Sequence, residues 1–334
     1  MPWLLWFTRI IFAISITMAS TAVAQTKLLN FEKLSFFEKP LAADLGFTTL
    51  VFSGTLESKI FDYSGENGEN GTAFDGNYQI SALTQLSNRW RLGATYYGED
   101  VDDKYTDKTT ISIGGVWGTV MAGNVSDTVR EQTRRQPGAG NASLAFDDFI
   151  GKTDDSGASY AGRFGPWIVS GYADGEGGVD LGAVYQRPQG TKDYRFTLRT
   201  ISGAHMASND LGEPIAYDTV GLGIVGELIY GSSIFDAGFG YERFKSEEEK
   251  AKRRFVSVGA RNKFDNITIS LEGHYGAIED DEEVSTALGI QYDISRGLSA
   301  NFGINHSRAK ATSSSIRNTD TEETGTILSL RYTF

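Results

Sequence analysis

The sequence predicts an all-β fold, a transmembrane antiparallel up-and-down barrel of about sixteen strands. Three observations carry that expectation. From about Gly46 onward, apolar and polar residues alternate over stretches of about ten residues between turn signals, the mark of strands with one face in water. The 334 residues include 39 Gly, 15 Tyr and 20 Phe against 6 Pro and 4 Met, a composition of strands and turns. Short and long connections follow one another, as expected where one end of a barrel carries tight turns and the other carries loops.

Taken in order, Met1 to Gln25 holds one basic residue, Arg9, then the apolar run Ile10 to Ala19, then Ala22-Val23-Ala24. This reads as a secretory signal peptide over residues 1–24, cleaved after Ala24. Residues 25–45 form a lead segment whose Leu28, Leu29, Phe31, Leu34, Phe36, Phe37 and Leu41 fit one face of a short helix or an extended entry to the first strand. The barrel is expected over 46–334. Its tight turns are centred near Ser87-Asn88-Arg89, Val116-Trp117-Gly118, Gly165-Pro166, Gln189-Gly190-Thr191, Gly231-Ser232-Ser233, Asp265-Asn266 and Ser295-Arg296-Gly297. Its longer connections are expected over 66–75, 100–107, 125–155, 174–178, 202–217, 246–252, 278–283 and 309–323. Seven hairpins, a first strand near Gly46–Tyr63 and a last near Thr324–Phe334 make sixteen.

The last strand shows the grammar best. Leu328, Leu330, Tyr332 and Phe334 fall on one face, and Gly325, Ser329, Arg331 and Thr333 on the other, with Ile327 the one large apolar residue on the polar side. A soluble β-sandwich also has strands with one apolar face. Here the opposite face is too polar and too rich in glycine for a second sheet to cover, and the hairpins run on without a crossover helix. In lipid every backbone N–H and C=O must pair within the protein, so the first strand is expected to meet the last.

Composition excludes several function classes. The chain carries 43 acidic against 31 basic residues, a net charge of −12, which argues against nucleic-acid binding because phosphate neutralisation needs a basic surface. The absence of Cys excludes a disulfide framework, a thiolate nucleophile and a thiolate metal site. Past the first segment there is no run of about twenty apolar residues, as a transmembrane helix requires.

The terminal strand Leu328-Ser329-Leu330-Arg331-Tyr332-Thr333-Phe334 resembles that of Gram-negative outer-membrane barrels, which end in an aromatic residue. With Gly115-Val116-Trp117-Gly118-Thr119-Val120-Met121-Ala122-Gly123 ahead of a long loop, the chain resembles a sixteen-stranded general diffusion porin, closest in style to alphaproteobacterial porins. The resemblance implies a homotrimer in the outer membrane, in contact with lipid and lipopolysaccharide. It also implies passive diffusion of ions and small hydrophilic solutes, no cofactor, and Phe334 as the signal read by the barrel-assembly machinery. It further implies that the third external loop, here about 125–155, folds into the lumen, with acids on that loop facing bases on the wall.

The loop residues so singled out are Asp127, Arg130, Glu131, Arg134, Arg135, Asp147 and Asp148. The facing wall residues are Lys59, Arg91, Arg163, Arg195 and Arg199, each on the polar side of its strand, with Glu57, Arg261, Glu272 and Arg331 on the same side. Charges lining a water-filled lumen select ions by raising or lowering their local concentration. The segment lacks the Pro-Glu-Phe-Gly-Gly stretch of enterobacterial porins and sets three arginines among its acids, which leaves the sign of its field open.

Other patterns are weaker. Asp100-Val101-Asp102-Asp103, Glu247-Glu248-Glu249 and Glu279 to Glu283 offer hard oxygen ligands for Ca²⁺ or Mg²⁺ at external loops, and read equally well as solvated loops. Gly221-Leu222-Gly223-Ile224-Val225-Gly226 fits a dinucleotide fingerprint, but its glycines alternate within a strand and open no helix. An outer-membrane hydrolase would need a Ser and a His in reach of one another. His306 and Ser307 are adjacent in a strand and point to opposite faces. An adhesive or purely structural barrel is the remaining alternative, with 202–217 and 309–323 as its outer surface.

Overall fold

The computed structural model describes residues 41–65, 68–86, 89–101, 104–151, 156–189, 192–208, 213–247, 249–310, 316–317 and 320–334. The proposed signal peptide and most of the lead segment lie outside these residues. The end of the lead is a strand, β1 (Leu41–Asp44), which turns back on β2 (Thr48–Gly65) and pairs Leu41 with Phe52. β3 (Asn70–Gln85), β4 (Arg91–Val101), β5 (Lys104–Gly115) and β6 (Gly118–Gly123) continue as a meander. One helix, α1 (Asp127–Thr133), follows.

The meander resumes with β7 (Gly157–Phe164), β8 (Trp167–Asp174), β9 (Val179–Gln189), β10 (Lys192–Ser208), β11 (Pro214–Tyr230) and β12 (Ser233–Lys245). It ends with β13 (Lys250–Phe264), β14 (Ile267–Ile278), β15 (Asp281–Ser295), β16 (Leu298–Ala309) and β17 (Thr321–Thr333). β17 pairs antiparallel with β2, from Glu323 opposite Gly65 to Thr333 opposite Thr55, so β2 to β17 form a closed ring of sixteen strands. Phe334 and Gly54 complete the seam by exchanging backbone hydrogen bonds of 3.0 Å. No edge of the ring is left open, which is the condition for β-structure in lipid.

The expected alternation sets the two faces. Outward residues are large and apolar, such as Leu271 at 62% exposure and Phe239 at 49%. Their neighbours point inward and are polar, and Asn301 and Ser270 are buried. Tight turns form where the residue in the bend tolerates a left-handed backbone: Gly231 at φ 59° and Asp265 at φ 50° suit the twist of two-residue hairpins.

The connections at the other end are shorter than the sequence suggests. The stretch 278–283 is a two-residue turn at Glu279-Asp280, and Asp281 opposes Ile278 across the β14–β15 ladder. Likewise Asp100 pairs with Tyr105 inside the β4–β5 ladder. Polarity along these stretches reports that they leave the apolar belt. The backbone goes on pairing beyond it because a hairpin already in register satisfies each new N–H and C=O. The longest connection, between β6 and β7, keeps the length expected of it. Among the described residues no helix is long and apolar enough to cross a membrane.

Candidate functional site: a long segment on the inner wall

The residues that leave β6 first build α1. Val129 in α1 and Tyr172 on β8 are buried together with Val125, and Met121 packs beside them. This apolar seat sets the helix against the inward faces of β8 to β10. Thr128 Oγ1 meets Ser159 Oγ at 3.2 Å, and Thr197 Oγ1 donates to the Thr133 carbonyl at 2.8 Å. After α1 the chain runs extended along the wall. Gly140 has φ 62°, and a Cβ there would come within 2.5 Å of the Ile290 carbonyl oxygen and 2.6 Å of that of Phe302. Gly289 and Gly303, opposite one another on β15 and β16, clear the track for Ala139 and Asn141.

Polar bonds then fasten the segment to inward side chains strand after strand. The Ala139 N–H donates to Ser270 Oγ at 2.8 Å, Ser143 N–H to Asn305 Oδ1 at 3.0 Å, and Ala145 N–H to Ser285 Oγ at 3.0 Å. Asn141 Nδ2 donates to Ser329 Oγ at 3.0 Å, and Arg331 donates to Asn141 Oδ1 at 3.2 Å and to Glu57. The N–H groups of Ile150 and Gly151 both reach Glu242 Oε1, at 2.9 and 3.0 Å. The segment's contacts, with that of Asp127 to Lys108 on β5 included, therefore pass from β5 round to β17, all on the polar face.

Arginines are the main anchors. Arg135 donates to Asp236 and, at 2.5 Å, to Glu272, with Asp147 at 3.5 Å; its side chain is 4% exposed. Arg199 embraces Asp180 with Nε and Nη2 and reaches Asp148 at 2.9 Å. Arg195 pairs with Glu227 at 2.5 Å and donates to the Gln132 carbonyl. Arg253, fully buried, holds Glu242 and Glu283 at 2.8 Å each and donates to the carbonyls of Asp148 and Phe146. Buried charges of this kind are tolerable only because each is paired and hydrogen-bonded.

A second set of charges on the segment faces open space. Asp127 pairs with Lys108 at 2.6 Å, Arg134 with Glu131 at 2.8 Å, and Arg130 with Asp148. Lys108, Asp127, Arg130, Glu131 and Arg134 have side chains 40–51% exposed. Partial burial pushes the Asp127 carboxyl up, but Lys108 with Arg130 and Arg134 outweighs it and holds the group below the usual carboxylate range. Asp147 goes the other way: burial pushes its carboxyl up, and the nearby Arg135 does not fully compensate. A cleft of about 190 Å³ lies among Arg130, Arg134, Arg135, Asp147, Asp148 and Glu272.

All seven loop residues singled out in the sequence thus lie in one charged assembly. Of the five wall residues, Arg195 and Arg199 meet it. Lys59 instead pairs with Asp75 on the next strand at 2.7 Å. Arg91 and Arg163 sit beside tight turns at the ends of β4 and β7, exposed, and Arg163 shares a cleft with Arg187 and Asp193. Facing inward did not place them at the height where the segment crosses. Nor do loop acids simply face wall bases: Arg135 reaches from the segment to wall acids, while Asp148 reaches from the segment to a wall arginine.

Sequence reasoning missed Lys108, Asn141, Asp180, Glu227, Asp236, Glu242 and Arg253. Glu242 and Arg253 stand opposite one another across the β12–β13 hairpin, equally far from its turn, and that spacing was the available signal. Glu283, read as part of a cation-binding loop, is fully buried between Arg253 and Arg317. Glu249 accepts a hydrogen bond from Tyr217. Among the described residues no three His, Asp or Glu side chains are grouped to hold a metal ion. His306 bonds Thr324 Oγ1 through Nδ1 at 2.9 Å, and the glycines 221–226 lie inside β11.

No known family profile matches the sequence, and no curated protein does. Solved structures match in shape. The in-vitro folded trimer form of OmpT, an outer membrane protein of Vibrio cholerae, superposes with a TM-score of 0.70 at 13% identity, over 86% of this chain and 100% of that one. An anion-selective porin from Comamonas acidovorans gives 0.64 at 16% identity, over 86% and 100%. Salmonella typhi OmpF, solved with daunomycin, gives 0.63 at 11% identity, over 88% and 100%. At such identities the likeness is one of fold, and the fold is the closed antiparallel β-barrel of outer-membrane porins.

Proposed function

We propose that the chain is a porin of the Gram-negative outer membrane, a water-filled channel through which ions and small hydrophilic solutes diffuse passively, without turnover or cofactor. The observation that carries this reading is the pairing of a closed, outwardly apolar ring with a long segment fastened along its polar inner face. An adhesive or purely structural barrel has no need of such a segment. In this reading residues 124–151 narrow the lumen, and the exposed charges on and beside the segment set the selectivity. Three cations, Lys108, Arg130 and Arg134, stand against their partners Asp127, Glu131 and Asp148, with Asp147 beside them, so selectivity is weak although the chain as a whole is acidic. Arg135, Arg199 and Arg253 act as fasteners of the segment.

The functional unit in this reading is a homotrimer. Strands β6, β7 and β8 have 6, 8 and 8 residues, short of the roughly nine to eleven that a lipid-facing strand needs. Cover from a neighbouring copy removes that mismatch. The test of function is planar-bilayer recording of the purified, folded protein. Discrete conductance steps with a reversal potential near zero under a salt gradient are expected. A silent bilayer containing folded protein contradicts the reading.

A further inference from the structure

Residues 146–151, the last part of the segment, lie across the inner faces of β13, β12 and β11. On β11 the inward positions are Thr219, Gly221, Gly223, Val225 and Glu227, so two in a row carry no side chain. Glycine weakens a strand and marks a place where another group approaches the backbone closely. That group is Phe149. A Cβ on Gly221 would lie 2.7 Å from Ile201 Cγ2 and 3.2 Å from Phe149 Cε1. At Gly223 the three nearest atoms all belong to Phe149, with Cζ at 3.0 Å. Across the ladder Gly223 opposes Gly240 on β12, and a Cβ there would run into the ring of Phe255. The Phe149 and Phe255 rings meet edge to face at 68° with centroids 6.3 Å apart, and the Arg199 guanidinium stands 5.2 Å from the Phe149 centroid. The glycine pattern that imitates a dinucleotide fingerprint is thus a notch in the lumenal wall, filled by one aromatic ring of the segment.

The seat of this ring is linked to the exposed charges through one residue. The Phe149 N–H donates to Asp148 Oδ1 at 2.8 Å, and the same oxygen accepts Arg199 Nη1 at 2.9 Å. The other carboxylate oxygen takes Arg130, whose side chain is 44% exposed. How deep the ring sits therefore decides how far Asp148 and Arg130 stand out from the wall. The polar fasteners of this stretch do not fix that depth. Arg253 and Glu242 are long side chains that can follow a displaced backbone by changing rotamer. An aromatic ring resting on the backbone of two glycines is a rigid spacer, because packed interiors yield little.

We propose that Phe149 is a positioning residue of the pore: seated in the notch of Gly221 and Gly223, this uncharged side chain sets the distance of the 146–151 stretch from the wall, and with it the width of the lumen and the placement of Asp148 and Arg130. The fit works in both directions. An emptied notch lets the stretch settle toward β11 and widens the passage. A filled notch expels the ring, pushes the stretch toward the lumen and narrows it. The inference rests on the reading of the chain as a channel narrowed by this segment.

The test uses the full folded protein as wild type, as Phe149→Ala, as Gly223→Leu and as the double variant carrying both. Gly273→Leu is the control, on the outer face of β14, where a Cβ would meet only Val258 at 3.7 Å. The first readout is single-channel conductance in planar bilayers. Phe149→Ala should raise it and Gly223→Leu should lower it, each by about 1.5-fold or more, and the double variant should return to the wild-type value. Loss of stability alone moves both single variants the same way and the double variant further, so opposite signs with recovery mark positioning. The second readout is the temperature at which the gel-shifted folded form is lost, which should fall in each single variant and recover in the double. A Gly223→Leu chain that folds only alongside Phe149→Ala is the same recovery. Conductance changes of one sign, or a double variant that does not fold or lies further from wild type than either single, overturn the proposal. An equal effect from Gly273→Leu also overturns it, since any leucine in place of a strand glycine would then do the same. A silent bilayer from folded wild type contradicts the channel reading instead, and the temperature series then decides the seat of Phe149 by itself.

Discussion

Arg134 and Arg135 are neighbours in sequence and opposites in environment, and replacing each by Ala separates the fastening charges from the exposed ones. The Arg134 side chain is 40% exposed and pairs with Glu131 within α1 and its exit. An exposed pair of this spacing is worth about 0.3–0.5 kcal/mol. Arg135 is 4% exposed, and its two main partners, Asp236 and Glu272, are each 3% exposed. Removing it strands two buried carboxylates, and breaking a buried pair by deleting one partner costs about 3–5 kcal/mol. The strain is local, because Thr197, Ser270, Ser329 and Glu242 still hold the segment on either side. Arg135→Ala should therefore lower by several degrees the temperature at which the gel-shifted folded form is lost, and make single-channel current noisier and larger as the segment loosens. Arg134→Ala should leave that temperature unchanged and move the reversal potential toward cation preference. Equal thermal shifts, or an Arg135→Ala channel identical to wild type in both assays, would refute the division into fasteners and exposed charges.

Two further outcomes follow from the same geometry. The Asp147 carboxyl, held above its ordinary range, takes up its proton early as pH falls and loses its negative charge, so acidification should shift selectivity toward anions. Reversal potentials recorded from pH 7 downward should show that shift in wild type and a smaller one in Asp147→Asn; equal curves would remove Asp147 from the pore's field. At the seam, a Cβ on Gly54 would lie 2.9 Å from Phe334 Cζ and press on the Asn77 carbonyl, and the Phe334 ring packs at a tilt against Phe52, with centroids 5.3 Å apart. Gly54→Val should reduce the yield of heat-resistant barrel by disturbing ring closure, and an unchanged yield would show that the seam tolerates the extra bulk.

Much of the ring was legible because its grammar is local. Inside or outside is decided every second residue, as Leu328 to Phe334 show, and a turn such as Asp265-Asn266 announces itself by the residues in the bend. Strand ends were less legible. Polar stretches such as Glu279 to Glu283 look like loops, but they continue a ladder whose register the apolar part has already set. The charged assembly was half legible. Arg195 and Arg199 lie inward on a strand the segment crosses, and so do Arg91 and Arg163 on theirs, yet only the first two stand at the crossing height. That height depends on where α1 finds its apolar seat around Val129 and Tyr172, a contact between residues distant in the chain. Arg253 was missed for a similar reason, since its burial comes from the 146–151 stretch folding over it and not from its own strand.

The central claim, that the 124–151 segment lines a conducting lumen, meets its most direct test in a chain with no native Cys. Glu131→Cys introduces a single thiol on the exposed side of α1, where the native side chain is 51% exposed. During planar-bilayer recording of open channels, a bulky charged thiol reagent should cut the current of Glu131→Cys in discrete steps and leave wild type untouched. Current that persists at full size after mass spectrometry shows the thiol fully modified would place the segment away from the ion path and contradict the account.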